Sequence, residues 1–305
     1  MTTTAEQIKT LKKEKNAVIL AHTYQPAEVQ DVADYVGDSY GLSVEAMSVR
    51  AGTIIFCGVK FMAETAAILN PDKTVILAEK DAGCPMADMI TPADLRGLRK
   101  EYPDYVVLCY VNSAAEIKAL SDICCTSSNA VKIAQKIPAK RGIIFVPDQH
   151  LGSWVQEKTG RTMVMWNGCC PTHVRIKPAM IAEARASHPR ALVLMHPEAP
   201  REVRGLADQI LSTGGMLSFA AKDPHKEFII ATEMGVVHTL AKRNPAKKFF
   251  AISEHITCPN MRKGSLKGVL AALEGTGGLK VSVAEDIATK SEGALRRMLE
   301  MSGQE

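Results

Sequence analysis

Apolar residues in this chain gather in short runs, and the polar residues between them recur in a fixed order. Three runs lead into the same pattern: VILAHTYQPAEVQDVADYVGDS, VVLCYVNSAAEIKALSDICCTS and LVLMHPEAPREVRGLADQILST. Aligned on His22, Tyr110 and His196, an acidic residue follows six places on as Glu28, Glu116 and Glu202. Twelve places on stand Asp34, Asp122 and Asp208, and seventeen places on the hydroxyl residues Ser39, Ser127 and Thr213. The copies begin 88 and then 86 residues apart and need no internal gap. Self-similarity of this kind marks a repeated structural unit.

Each copy predicts a strand, a turn and a short amphipathic helix. Val29, Val32, Ala33 and Val36 stand at helical spacing, as do Val203, Leu206, Ala207 and Ile210, with Ile117, Leu120 and Cys124 on the same face of the middle copy. A second helix is expected at or just after the hydroxyl residue, as in SNAVKIAQKI from Ser128. Further strands follow in TIIFCG and TVILAE, GIIFVP and TMVMW, EFIIAT and KKFFAI. Buried strands alternating with helices argue for α/β architecture with parallel sheets covered on both faces. The expectation is three homologous three-layer αβα units about a pseudo-threefold axis. They would span residues 16–103, 104–190 and 191–275, with a C-terminal helical extension over 276–305.

Composition narrows the class. With 46% hydrophobic and 23% charged residues in 305, the chain is that of a globular protein too long for one ordinary core. The longest apolar runs, Ala17 to Ala21 and Tyr105 to Val111, are strand-sized and too short for a bilayer, so no membrane association is expected. MTTTAEQIKTLKKEK has no apolar stretch after its charges, which argues against a signal peptide and for a cytoplasmic protein. Cysteines there stay reduced and serve as ligands or catalysts more often than as disulfides. The net charge of +4 suits small acidic substrates; the basic residues are scattered and aromatics make up 5%, which disfavours a nucleic-acid partner.

The candidate chemistry falls in phase with the repeat. Cys-Pro occurs at Cys84, Cys170 and Cys258, each shortly after the last strand of a copy, where open α/β sheets place ligand sites. Cys169 is out of phase, and Cys57, Cys109, Cys124, Cys125 and Cys169 are assigned to packing. Pseudo-threefold packing would bring the three Cys-Pro loops to one centre. Three thiolates suit an iron–sulfur cluster with one iron left open as a Lewis acid. The rivals are three unremarkable loop cysteines, or a zinc site, which usually carries a C-x₂₋₄-C knuckle that is missing here. The strand ends carry the pairs His22 and Tyr24, Tyr110 and Asn112, and His196 and Glu198, groups able to move protons. Ser39, Ser127, Ser212 and Thr213 precede or open helices, where N–H groups bind phosphate or carboxylate, although plain capping uses the same residues.

The segments ILAHTYQPAEVQDVADYVGDS, FMAETAAILNP, GCPMAD, YVNS, CTSSNA, CPTH, HPE, STGGM and TEMG together resemble the quinolinate synthase family, the second enzyme of de novo NAD synthesis in bacteria and archaea. The resemblance runs from the first strand past Cys258. It implies three αβα domains, each giving one cysteine (Cys84, Cys170 or Cys258) to a 4Fe–4S cluster. It also implies condensation of iminoaspartate with dihydroxyacetone phosphate to quinolinate, with loss of phosphate and water. Tyr24 and Glu198 would be the acid–base groups, with His22 and His196 polarising or protonating the triose portion. Tyr110, Asn112, Ser127 and His173 would line the pocket, and Ser39, Ser212 and Thr213 would hold phosphate or carboxylate. Glu233 would close the cavity or only bind backbone. An L-aspartate oxidase or aspartate dehydrogenase would supply the unstable iminoaspartate. Two features found in some family members are missing: CPNMRK holds Cys258 alone, and Ala199 and Pro200 follow HPE. Redox regulation through such cysteines is therefore not expected. The alternatives are an oxygen or redox sensor, disfavoured by the acid–base groups, and a related iron–sulfur dehydratase on another polyanion. If the phase argument holds, Cys170→Ala protein prepared anaerobically loses its brown colour and its iron (about four per chain), whereas Cys169→Ala keeps both; the reverse outcome would refute it.

Overall fold

The computed structural model describes residues 3–303. Its first unit runs α1 (Thr4–Glu14), β1 (Ala17–His22), α2 (Ala27–Val32), β2 (Tyr35–Gly37), α3 (Ser39–Ser48), β3 (Thr53–Cys57), α4 (Lys60–Leu69) and β4 (Thr74–Leu77). The second repeats this order as α5 (Pro92–Glu101), β5 (Val106–Tyr110), α6 (Ala115–Ala119), β6 (Ile123–Cys125), α7 (Ala130–Lys136), β7 (Ile143–Val146), α8 (Gln149–Thr159) and β8 (Met163–Met165). The third has α9 (Pro178–Ser187), β9 (Leu192–Met195), α10 (Arg201–Arg204), β10 (Gln209–Ile210), α11 (Thr213–Lys222), β11 (Glu227–Ala231), α12 (Val236–Arg243) and β12 (Lys248–Ala251). Last come α13 (Leu266–Glu274), β13 (Leu279–Lys280) and α14 (Glu285–Ser302).

Each unit has one parallel sheet of the same strand order, β2-β1-β3-β4, β6-β5-β7-β8 and β10-β9-β11-β12; β13 adds antiparallel to β4. The α/β class and the threefold repetition expected from the sequence are thus present. Both faces of the central strands are buried. In the first unit Leu20, Ile54 and Phe56 face a core shared with Leu194, Phe228 and Ile230 of the third, while Ile19, Ala21 and Ile55 face Ile8, Val269 and Leu273. Period-two burial within an unbroken apolar run is what a parallel sheet covered on both sides requires.

The expected short helix of each copy is shorter than its apolar spacing suggested. α2, α6 and α10 stop at Val32, Ala119 and Arg204, and Val36, Cys124 and Ile210 belong to strands instead. The aspartate twelve places on makes the break. Asp34, Asp122 and Asp208 accept the N–H of Ile19, Val107 and Val193 at 2.8, 2.8 and 2.7 Å. The N–H of each aspartate returns to the carbonyl of the same strand residue. A carboxylate thus starts each edge strand against its centre. Lys12, Arg99 and Arg185, on the helix that opens each unit, pair with these aspartates at 2.7, 2.8 and 2.9 Å.

α13 packs on α1 and α2 of the first unit, and α14 on α6, β6 and α7 of the second, burying Ala294, Leu295, Met298 and Leu299. Among the described residues no helix is long and apolar enough to cross a membrane. Asp122→Ala would leave the buried Val107 N–H without its partner. The expected cost is about 1–3 kcal/mol, read as a lower urea midpoint; an unchanged midpoint would show that the bond does not matter.

Candidate functional site

The C-terminal ends of β1, β5 and β9 meet at one partly enclosed cavity. His22, Tyr24, Ser39, Cys84, Tyr110, Asn112, Ser127, Cys170, His173, His196, Glu198, Thr213 and Cys258 all line it. Of the expected site residues, Ser212 alone is not in its wall. The Ser212 hydroxyl caps α11 by accepting the Gly215 N–H at 3.0 Å, and it lies 2.8 Å from Ser128 Oγ. Ser128 Oγ also lies 2.9 Å from Asp38 Oδ2, which accepts the Gly214 N–H at 3.1 Å. A Cβ on Gly214 would meet that oxygen at 2.6 Å, so the close approach of the two units there needs glycine. The helix starts of α3 and α11 and the turn before α7 are joined in this way across three units.

The paired residues face the cavity because of the turns that follow the strands. Tyr24, Asn112 and Glu198 lie just past the strands, in turns closed by Gln25 N–H to the His22 carbonyl (2.9 Å) and Ala199 N–H to the His196 carbonyl (3.1 Å). The same turns bring Tyr24 N–H to His22 Nδ1 (3.1 Å) and Glu198 N–H to His196 Nδ1 (3.4 Å). With Nδ1 accepting, each imidazole carries its proton on Nε2. For His196 that atom lies 3.2 Å from Ser127 Oγ. Burial pushes His22 down to about 4 and His196 down to about 3, outweighing the pull of Asp38 and Glu198 on the former and of Glu198 on the latter. Both are neutral donors near pH 7.

Glu198 is the charged centre. Burial alone would raise its pKa, but His173 and His196 when protonated, with hydrogen bonds from His173 and Tyr110, pull it below the usual carboxylate range; with His196 neutral, the hydrogen bonds are what remain near pH 7. Tyr110 OH donates to Oε1 at 2.6 Å, and His173 Nδ1 lies 2.8 Å from Oε2. His173 Nε2 lies 2.7 Å from Thr232 Oγ1, which lies 2.7 Å from Tyr24 OH, itself 3.0 Å from Thr213 Oγ1. A continuous hydrogen-bonded chain therefore links Tyr24 to Glu198 through Thr232 and His173, drawing on all three units. Burial, followed by the charge of Glu198, raises both tyrosines well above their ordinary range, so they stand as proton donors.

The three cysteines occupy equivalent places. Backbone N–H groups of Ala87 and Met86 point to Cys84, that of His173 to Cys170, and those of Met261 and Asn260 to Cys258. Burial, working against these bonds, pushes the Cys84 thiol up to about 12. Hydrogen bonds of this kind support thiolates in iron–sulfur sites. Among the described residues the one group with metal-donor atoms all within 4.8 Å of one another is Cys170, His173 and Glu198. Its 2.8 Å between His173 and Glu198 is a hydrogen-bond distance. Tetrahedral zinc ligands at ~2.0–2.1 Å from the metal would stand about 3.3 Å apart. Cys84 and Cys258 fall outside that group, so the three cysteine sulfurs are not all within 4.8 Å of one another. The buried side-chain oxygen of Asn112 has no partner, leaving an acceptor for a ligand to satisfy.

Several residues of the site lie in the quoted segments without having been singled out there. Asp38, Thr126, Thr172 and Met261 line the cavity, and Thr232 completes the hydrogen-bonded chain. Glu233 takes an Arg262 ion pair at 3.0 Å and the N–H groups of Gly235 (2.6 Å) and Cys258 (3.4 Å), fixing the Cys258 loop while touching the cavity. The in-phase position of Asp38, one before Ser39, was the available signal, and Thr232 opens the TEMG segment.

Residues 6–300 match the family described as Quinolinate synthetase A protein. The chain is 50% identical over 295 residues, 97% of each chain, to a quinolinate synthase of Dehalococcoides mccartyi. It is 50% identical over 297 residues to those of Thermodesulfovibrio yellowstonii (97% of each chain) and Methanosarcina barkeri (96% of each). A pH dependence follows from the buried neutral imidazoles. Unfolded histidine binds a proton below about 6.5, whereas folded His22 and His196 do so only near 4 and 3. Stability therefore falls as pH drops through that window, by up to about 1.4 kcal/mol per pH unit for each. His196→Asn should flatten the slope of unfolding free energy between pH 6.5 and 4; an unchanged slope would contradict the assignment.

Proposed function

Since the chain belongs to the quinolinate synthetase A family, we propose that it condenses iminoaspartate with dihydroxyacetone phosphate to quinolinate, releasing phosphate and water, in de novo NAD biosynthesis. The observation that carries this reading is the single cavity in which three repeat-equivalent cysteines meet a Tyr24–Glu198 hydrogen-bonded chain. The overall conversion forms a C–C and a C–N bond, eliminates phosphate and water, and transfers no net electrons. It therefore calls for polarised oxygens and moved protons.

Cys84, Cys170 and Cys258 would hold a 4Fe–4S cluster, which supplies, when bound, a Lewis-acidic iron lacking a protein ligand. The protein's own groups divide the remaining work. Neutral His22 and His196 donate from Nε2 to the triose carbonyl or hydroxyl oxygens, the role of an electrophile and not of a base. Ionised Glu198 takes a proton from the carbon or nitrogen that condenses, and Tyr24 returns one to a leaving oxygen. Thr232 and His173 connect the two so that the pair can reset between steps. Ser39, Ser127 and Thr213, with the N–H groups opening α3 and α11, hold carboxylate or phosphate, supported from behind by Ser212. Asn112 and Tyr110 complete the wall.

The setting is the cytoplasm, and the supplier of iminoaspartate an L-aspartate oxidase or dehydrogenase. Under anaerobic conditions, purified protein given enzymatically generated iminoaspartate and dihydroxyacetone phosphate should release quinolinate and phosphate in equal amounts. Protein carrying its full complement of iron and yielding no quinolinate would reject the reading.

A further inference from the structure

The repeat places one more set of equivalent residues that the proposed chemistry does not use. The eighth residue after His22, Tyr110 and His196 is Gln30, Lys118 and Arg204. All three are polar, and all three are buried, at 4%, 0% and 2% exposure. Burying such groups is costly unless their donors find acceptors, and of the donors described below only Arg204 Nε has none. Their acceptors follow one plan. Gln30 Nε2 donates to the carbonyls of Thr23 (2.9 Å) and Gln25 (2.8 Å). Lys118 Nζ donates to the carbonyl of Ser113 (2.8 Å), and Arg204 Nη1 to those of Ala199 (3.0 Å) and Pro197 (3.3 Å). Gln25, Ser113 and Ala199 are the same position in the three copies, each the residue after Tyr24, Asn112 or Glu198.

The same donors also cross between units. Gln30 Nε2 reaches the carbonyl of Gly235 at the start of α12 (3.0 Å). Lys118 Nζ reaches that of Phe61 at the start of α4 (3.3 Å), and Arg204 Nη1 that of His150 at the start of α8 (2.8 Å). The links run from the first unit to the third, the third to the second and the second to the first, so they close into a ring. The fit is tight where the first and third units meet, since a Cβ on Gly235 would lie 2.9 Å from Tyr24 Cα. Arg204 is further held by Ser153 Oγ (2.8 Å) and Glu157 (3.1 Å) on α8. Lys118 rests against the Phe61 ring, 5.4 Å from its centroid.

We propose that Gln30, Lys118 and Arg204 are positioning residues: each ties the turn that presents one pair of site side chains to the neighbouring unit, and the three ties together set the geometry of the common cavity. The consequence for catalysis rests on the reading of that cavity as the site of condensation. The ties do not touch substrate. They act through the turns, and a displacement near 1 Å at a reacting group is worth roughly 10²-fold in rate.

The test compares the iron-loaded holoenzyme with its Arg204→Met and Arg204→Lys variants, the latter carrying the donor that the second copy uses. Hydrogen exchange followed by mass spectrometry should show faster exchange in Arg204→Met at residues 196–200 and 149–152, and no change in the 22–26 turn. Its kcat should fall roughly 10–100-fold with KM moving less than about 3-fold, and Arg204→Lys should recover much of the loss. Unchanged exchange in those two segments, a loss confined to KM, or no recovery with lysine would overturn the proposal. If Arg204→Met does not fold, Lys118→Met is read in the same way at 110–114 and 59–63; failure of both to fold would assign these residues to stability alone and overturn it too. Wild-type protein that makes no quinolinate, with the exchange pattern as expected, would sink the functional reading and leave the ties standing.

Discussion

Carbonyl groups at the ends of parallel strands have to be satisfied even where the sheet stops. In this fold three such strand ends converge in a buried centre, so water cannot do it. Backbone N–H groups of the following turns take the His22 and His196 carbonyls, and the turns' own carbonyls take donors from side chains a fixed distance along each copy. Gln30, Lys118 and Arg204 saturate the turns from below, while the turns' own N–H groups go to His22 Nδ1 and His196 Nδ1. That second use leaves the far nitrogen of each imidazole carrying hydrogen, in the case of His196 beside Ser127 Oγ. The backbone accounting of the fold and the protonation state of the site are therefore one arrangement.

A single carboxylate organises the electrostatics. Glu198 has both oxygens engaged, by Tyr110 and His173, and stays ionised in a buried setting because those partners stabilise its charge. His22 and His196 stay neutral because burial opposes a further charge. Pushing pKa values apart within one small space separates groups that can give a proton from the one that can accept it. The Thr232 hydroxyl, from the strand-end turn after β11, connects them across a unit boundary.

How much of this was legible in the sequence depends on whether the information was local or relational. The three copies, the six later strands and the phase of the Cys-Pro loops could be read because apolar spacing and duplication are written along the chain. The short edge strands could not. Three residues are too few to show period two, and Val36, Cys124 and Ile210 also satisfy a helical spacing. What breaks the helix is a carboxylate reaching a strand fifteen residues back, a contact that spacing does not encode. Gln30, Lys118 and Arg204 share a position but differ in chemistry, so a search for identical residues passes over them. Thr232 joins the site only because two other units present Tyr24 and His173 to it.

The path of the chain after β12 bears on how the protein is made. β13 and α13, more than 180 residues beyond β4, complete the sheet edge and outer core of the first unit. α14 likewise covers the second. Neither unit can finish while the ribosome is still producing the third, so the nascent N-terminal half emerges with an open strand edge and uncovered apolar surface. Maturation is set by the last segments to be translated, and a chaperone holding the early ones would have to let go only after the C-terminal helix has left the exit tunnel.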